Sequence, residues 1–168
     1  MKLKDSVAII TGSSSGIGAA IARLFAEHGC HVVINYSSNE AGARAVAADC
    51  EQFGVGALVC QANVAEDADC RALVEAALAK FGRVDILVNN AGTTKFCDHR
   101  NLEGLDMQDF LDLYAINTVG PFQMTRAAEK ALRANGYGHI INMASIAGLA
   151  GIGSSMAYAA SKGALITM

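Results

Sequence analysis

The chain has 168 residues, 52% of them hydrophobic, with a formal net charge of -3 and a pI near 5.7. That is enough for one folded domain with a core, and too apolar for disorder. The chain has no basic block to bind nucleic acid, and an acidic chain is not drawn to anionic membranes.

The first apolar run, Val7 to Ile10, is too short for a signal peptide. The apolar tail from Ile140 to Met168 is broken by Ser, Gly, Asn and Lys162, so it is no spanning segment. A soluble, cytoplasmic protein is expected. Cys30, Cys50, Cys60, Cys70 and Cys97 form no close pairs, and His28, His31, His99 and His139 show no ligand spacing. Free thiols and no metal site are the expectation.

Short apolar runs alternate with helical stretches. Strands are predicted at Val7 to Thr11, His31 to Tyr36, Ala57 to Gln61, Ile86 to Asn89 and His139 to Met143. The helix after the first strand carries Ile17, Ala20, Ile21, Leu24 and Phe25 at helical spacing and closes at Gly29. Further helices are predicted over Glu40 to Phe53, Glu66 to Phe81 and Asp106 to Asn135, with another opening near Ser155 or Met156. Thr93 to Leu105 reads as a polar loop. Repeated β-α units with apolar strands imply a parallel sheet between helix layers, in one domain over residues 1–168.

Thr11-Gly12-Ser13-Ser14-Ser15-Gly16-Ile17-Gly18 joins the first strand to the first helix. Such a turn aims helix N-terminal N–H groups at an anion. Gly12 allows the tight turn, Gly16 lets a phosphate approach, and Gly18 lets the helix pack closely. The spacing is neither G-x-G-x-x-G nor a P-loop. Gly12 to Gly16 also fits the hydrolase elbow G-x-S-x-G, with Ser14 as nucleophile. Against this, the elbow follows the first strand, and no later histidine has a supporting pattern.

Further motifs are Asn89-Asn90-Ala91-Gly92 at the end of the fourth strand, Asn117 in the long helix, Ser145 after the fifth strand, and Tyr158-x-x-x-Lys162. Together with the glycine turn, and with Tyr158 thirteen positions after Ser145, they resemble the short-chain dehydrogenase/reductase family. The resemblance spans the chain. It implies a Rossmann-like, doubly wound parallel sheet in three layers, with the C-terminal part of the usual fold missing. It implies an NAD(P)-dependent oxidoreductase that interconverts a carbonyl and a secondary alcohol. Asn117, Ser145, Tyr158 and Lys162 would be catalytic. The cofactor would meet Gly12, Ser14, Ser15, Gly16, Ile17 and Gly18, then Tyr36, Ser37 and Ser38, then Asn63 and Val64, and finally Asn90, Ala91, Gly92, Tyr158 and Lys162. A homo-oligomer, dimer or tetramer, is also implied. The other readings are a non-catalytic dinucleotide-binding protein or an inactive fragment.

The chemistry also follows from the residues. A tyrosine hydroxyl can give a proton to a carbonyl oxygen, but its ordinary pKa is about 10. Lys162 lies one helical turn from Tyr158, and its charge favours tyrosinate. A surface helix pair would look the same. Yet Lys162 is the only charged side chain from Ile140 to Met168, which favours a role. Ser145 can hydrogen-bond the substrate oxygen, although alone it reads as a turn residue. Pro121, the only proline, removes the N–H that the Asn117 carbonyl would normally receive. In the family, a water at that carbonyl links the lysine to solvent.

An acid about 20 residues past the glycines would hold an NAD ribose. Here Tyr36 stands in that place, followed by Ser37 and Ser38, so NADP(H) is expected ahead of NAD(H), with both open. Asn63 replaces the family's usual Asp before Val64, and its amide oxygen can still accept from adenine. Phe96 and His99 in the polar loop could line a substrate mouth. The substrate itself is open: a 3-oxoacyl thioester, a sugar or a steroid would each fit. The cofactor expectation is checked by comparing kcat/KM with NADPH and NADH. A higher value with NADPH is expected, and a strong NADH preference would overturn it.

Overall fold

The computed structural model describes residues 3–168. Five parallel strands form one sheet in the order β3-β2-β1-β4-β5. They are β1 (Val7–Ile10), β2 (His31–Tyr36), β3 (Ala57–Gln61), β4 (Ile86–Asn89) and β5 (His139–Asn142). The helices between them are α1 (Gly16–Glu27), α2 (Glu40–Glu51), α3 (Asp67–Phe81), α4 (Met107–Tyr114) and α5 (Gly120–Ala134). After β5 come α6 (Ala147–Ala150) and α7 (Met156–Thr167).

Successive strand side chains point to opposite faces, and each face has its own core. Ala8, Ile10, Val32 and Ile34 pack with Ala22 and Phe25 of α1 and Val46 of α2. Val7, Ile9, Val33 and Leu87 pack with Leu73 of α3 and Met124 of α5. This two-sided cover makes the sheet doubly wound in three layers, and it explains why β1 and β4 are apolar at nearly every position. The edge strands are less covered: Ile140 on β5 is 45% exposed. The strand order reverses between β1 and β4, so the crevice of an α/β sheet opens at their carboxyl ends.

Two features differ from the sequence reading. The long helix predicted over Asp106 to Asn135 is α4 and α5 joined by a π-helical turn, Ala115–Val119. The Gly120 N–H bonds the Ala115 carbonyl, five residues back. Pro121 cannot donate to Asn117 one α-turn earlier, and the backbone widens there rather than breaking. The short helix α6, closed by Gly151 at φ 65°, has no signature in its four residues.

Burial pushes the Cys30 thiol up to about 12 and the Cys50 and Cys70 thiols up to about 11. Among the described residues no helix is long and apolar enough to cross a membrane, and no group of three or more His, Cys, Asp or Glu could hold a metal ion.

The opposite end of the sheet is fastened by the buried Asp85. Its carboxylate accepts from the Val7 N–H at 2.9 Å and the Asn135 amide at 3.0 Å, and it pairs with Arg83 at 2.7 and 2.8 Å. It thereby joins the starts of β1 and β4 to the end of α5. Asp85→Ala leaves the Val7 N–H unpaired inside the protein, frees Arg83, and reduces the Asn135 amide to its bond with the Val84 carbonyl at 3.1 Å. It is expected to lower the unfolding free energy by about 3 kcal/mol, read as a fall in the urea midpoint.

Candidate active site

The glycine turn is pinned from two sides. On one side, the Thr11 hydroxyl accepts the N–H groups of Asn90 and Ala91, each at 3.0 Å. The Asn90 amide donates back to the Thr11 and Gly12 carbonyls at 2.8 and 3.1 Å. On the other, buried Asn35 accepts from the Gly12 N–H at 2.9 Å and donates to the Ala62 carbonyl at 3.0 Å. Ser13 Oγ accepts the Asn35 N–H at 3.0 Å and donates to the Ile10 carbonyl at 2.7 Å. Sequence reasoning missed Thr11, Ser13 and Asn35. The signal was there in Asn35, a polar residue ending a run of Val and Ile that had to be buried.

These contacts explain two glycines. A Cβ on Gly12, which sits at φ 61°, would stand 2.8 Å from the Ala91 Cα. A Cβ on Gly18 would stand 2.5 Å from the Asn90 amide nitrogen and 2.7 Å from the Gly12 carbonyl oxygen. Gly16 has φ 57° and open space around it. The N-terminus of α1 is left uncapped by its own chain. Ser15 makes no side-chain cap bond and no acid sits in the first turn, whereas α2, α4 and α7 are capped by Asn39, Asp106 and Ser155. Helix N–H groups without a cap are suited to an anion.

Two clefts meet at the end of β4. One, of about 330 Å³, is lined by Gly12, Asn35, Ser37, Asn63, Val64 and Asn90 through Thr93. The other, of about 260 Å³, is lined by Ile17, Asn90, Gly92, Thr93, Met143, Tyr158 and Lys162. Asn90, Gly92 and Thr93 are common to both, so the clefts share a wall.

Other expected residues stand outside these walls. The Tyr36 ring is buried in the core, and its carbonyl accepts the Ala62 N–H at 2.9 Å. Ser37, next along, lines the cleft in its stead; Ser38 is exposed and lines neither. Asn63 Oδ1 already accepts the Ala65 N–H at 3.1 Å, which leaves one lone pair for a ligand. Ser14 and Ser15 line neither cleft. Nor does Ser145, whose Oγ accepts the Ala147 N–H at 3.2 Å and helps to start α6.

Asn117 sits behind the wall, fully buried. Its amide clamps the Thr93 backbone, accepting the N–H and donating to the carbonyl, both at 2.9 Å, and also donates to Ser161 Oγ at 3.0 Å. Ser161 donates to the Tyr158 carbonyl at 2.8 Å. The Asn117 side chain therefore ties the cleft wall to α7, a task that the sequence assigned to no residue. Ser161 was missed because it reads as a plain small residue between Tyr158 and Lys162.

Lys162 is 5% exposed. Its Nζ donates to the Met143 carbonyl at 2.8 Å and lies 6.0 Å from the centroid of the Tyr158 ring. Burial holds its pKa below the ordinary lysine value. Its depth depends on Gly148 of α6, where a Cβ would stand 2.6 Å from the Lys162 carbonyl carbon.

The four histidines that a Ser14 nucleophile could enlist are engaged elsewhere. His28 and His99 contact the Leu24 and Gly153 carbonyls, His31 accepts from the Gly56 N–H, and the His139 ring lies against that of Tyr137, centroids 6.1 Å apart.

Comparisons with known proteins place the chain in a family. The family model described as short chain dehydrogenase matches residues 6–168. The chain is 40% identical over 98% of its length to an uncharacterized oxidoreductase of Methylorubrum extorquens, covering 64% of that protein. It is 38% identical over 98% of its length to the 3-oxoacyl-[acyl-carrier-protein] reductase of Synechocystis sp., covering 65% of it. It thus spans about two thirds of the length of these relatives. Among solved structures, NAD+-bound xylitol dehydrogenase superposes with a TM-score of 0.91 at 29% identity, over 99% of this chain and 63% of that one. A Burkholderia xenovorans structure assigned to the short-chain dehydrogenases/reductases superposes with a TM-score of 0.95 at 43% identity, over 96% of this chain and 68% of that one. The chain belongs to the short-chain dehydrogenase/reductase family.

The depressed pKa of Lys162 has a consequence for stability. Between that value and the ordinary 10.5, the unfolded chain binds the proton more readily than the folded one, so stability gains from this group as pH rises. Urea midpoints taken as pH is raised toward 10.5 are expected to show this contribution in the native chain and to lose it in Lys162→Met.

Proposed function

We propose that the protein is an NAD(P)-dependent oxidoreductase that interconverts a carbonyl and a secondary alcohol, with Tyr158 as the acid/base. The observation that carries this reading is the shared wall. Tyr158 and Lys162 face one cleft, the glycine turn faces the other, and Asn90, Gly92 and Thr93 belong to both. Residues 1–168 would act as one dinucleotide-binding domain.

The residues fit a dinucleotide. The uncapped first turn of α1 suits a pyrophosphate, and a Cβ at Gly12 or Gly18 would collide with the turn's own supports. Ser37 and Asn63 lie along the larger cleft, and no carboxylate lines it, so a ribose 2′-phosphate meets no repulsion there. This supports NADP(H) over NAD(H). When bound, the nicotinamide supplies or accepts the hydride.

The protein's own residues handle the proton. The Tyr158 hydroxyl would donate to the carbonyl oxygen as charge develops on it, and Ser145 would add a hydrogen bond. Lys162, drawn away from water, holds its positive charge close to the tyrosine. The Asn117 clamp keeps α7 at a fixed height above the wall. The Asn117 main chain lies in the π turn, where the helical ladder is re-registered, and this supports a water relay from its carbonyl to Lys162. A homo-oligomer is consistent with the half-exposed Phe122 on α5.

Tyr158→Phe tests the assignment. It is expected to leave the dinucleotide Kd, read by fluorescence quenching, within about twofold, while kcat for carbonyl reduction falls by a factor on the order of 10² to 10⁴. Unchanged turnover would remove Tyr158 from the chemistry. Dinucleotide binding with no turnover by the unsubstituted chain would favour a sensor, and labelling of Ser14 by a fluorophosphonate would favour a hydrolase.

A further inference from the structure

The loop after β4 and the turn between α6 and α7 are fastened together. The Cys97 N–H donates to the Ser154 carbonyl at 2.9 Å, and His99 Nε2–H donates to the Gly153 carbonyl at 3.1 Å. The Thr94 and Ser154 hydroxyls are hydrogen-bonded to each other. Ser154 is held at φ 39°, a conformation that non-glycine residues rarely adopt and that persists only where neighbours enforce it. The next residue, Ser155, is fully buried and caps α7 by accepting the Tyr158 N–H. The clasp therefore joins the loop to the cap of the helix that carries Tyr158.

On the clasp lies a shallow, open cavity of about 580 Å³, lined by residues that include Phe96, Asp98, His99, Ile152 and Ser154. It adjoins the Tyr158 cleft, since Thr94 lines that cleft and bonds Ser154. Phe96 is 83% exposed and Ile152 60% exposed, an unfavourable display for two large side chains on loops held in one geometry. No Lys or Arg lines the cavity. The nearby cations are paired, Lys95 with Asp109 at 2.6 Å and Arg100 with Asp98 at 2.7 Å. The only formal charge in the lining, the carboxylate of Asp98, is taken up by that pair with Arg100, so the lining holds no free cation to attract an anionic group.

We propose that the clasp builds a preformed subsite for an uncharged apolar group, alkyl or aryl, attached to the carbonyl that Tyr158 serves, and that Phe96 and Ile152 set this specificity. The inference rests on the oxidoreductase reading. It selects apolar ketones over phosphorylated or carboxylated ones. Because the clasp is formed without ligand, the apolar walls need no ordering when substrate arrives.

The experiment is a chain-length series, 2-butanone to 2-octanone, with levulinate as the charged partner of 2-pentanone. It is read twice: as kcat/KM in NADPH oxidation, and as ketone Kd by chemical-shift titration of the chain without dinucleotide. Each methylene that enters the subsite is expected to improve both values by up to about fourfold, and levulinate is expected to be at least tenfold poorer than 2-pentanone. Phe96→Ser and Ile152→Ser, checked for folding by thermal melts, are expected to lower the ratio of 2-octanone to 2-butanone about tenfold. A flat series, equal use of levulinate, or an unchanged ratio in both variants overturns the subsite. Loss of dinucleotide binding instead overturns the oxidoreductase reading, and the ketone titration still reports on the subsite.

Discussion

The hydroxyl of Thr11 holds two backbone N–H groups of a neighbouring strand end, and the site depends on that bond pair. It sets β1 and β4 level at the crevice, where the strand order reverses. With the ends level, the Asn90 amide reaches the carbonyls of the glycine turn, and α1 can approach only because Gly18 has no side chain. A hydroxyl suits the task because it can accept two N–H bonds and still donate; Thr11 donates to the Val88 carbonyl at 3.3 Å. The residue is buried, so none of this shows at the surface of the cleft that it shapes.

From that fixed edge the remaining parts follow by packing. Gly92 and Thr93 continue the β4 end, and the Asn117 clamp carries their position into α7 through Ser161. The π turn lets one helix serve two purposes. It absorbs Pro121 while Asn117, in the same turn, points its amide inward to bond Thr93 and Ser161. Widened helical turns are often found at functional sites, and here the cause is visible in one residue's missing N–H.

Much of this was legible in the sequence. Strand positions, the sheet's double cover and the opening of α7 at Ser155 follow from apolar runs, helical spacing and capping chemistry. The glycine turn was legible through Gly12 and Gly18, whose lack of a side chain is a steric requirement in the fold. What was not legible depends on contacts between distant segments. Tyr36 sits at the position for a ribose contact, but alternation turns its ring into the core and leaves the next residue, Ser37, on the cleft. Asn35 and Ser161 act through bonds to partners that no local pattern reveals. The clasp at Ser154 also lies beyond local pattern, because its strained backbone is imposed by a loop about 60 residues away in the chain.

The half-covered strand β5 gives the site two degrees of stiffness. Ser145 follows a strand that pairs on one side only among the described residues, whereas Tyr158 and Lys162 ride a helix bonded to the π turn, to Met143 and to its own cap. Local opening costs least where backbone bonds are few and solvent is near. Amide hydrogen exchange should therefore divide the proposed catalytic residues into a slow group on α7 and a fast one after β5. The serine would then be the member whose position a bound substrate has the most freedom to adjust.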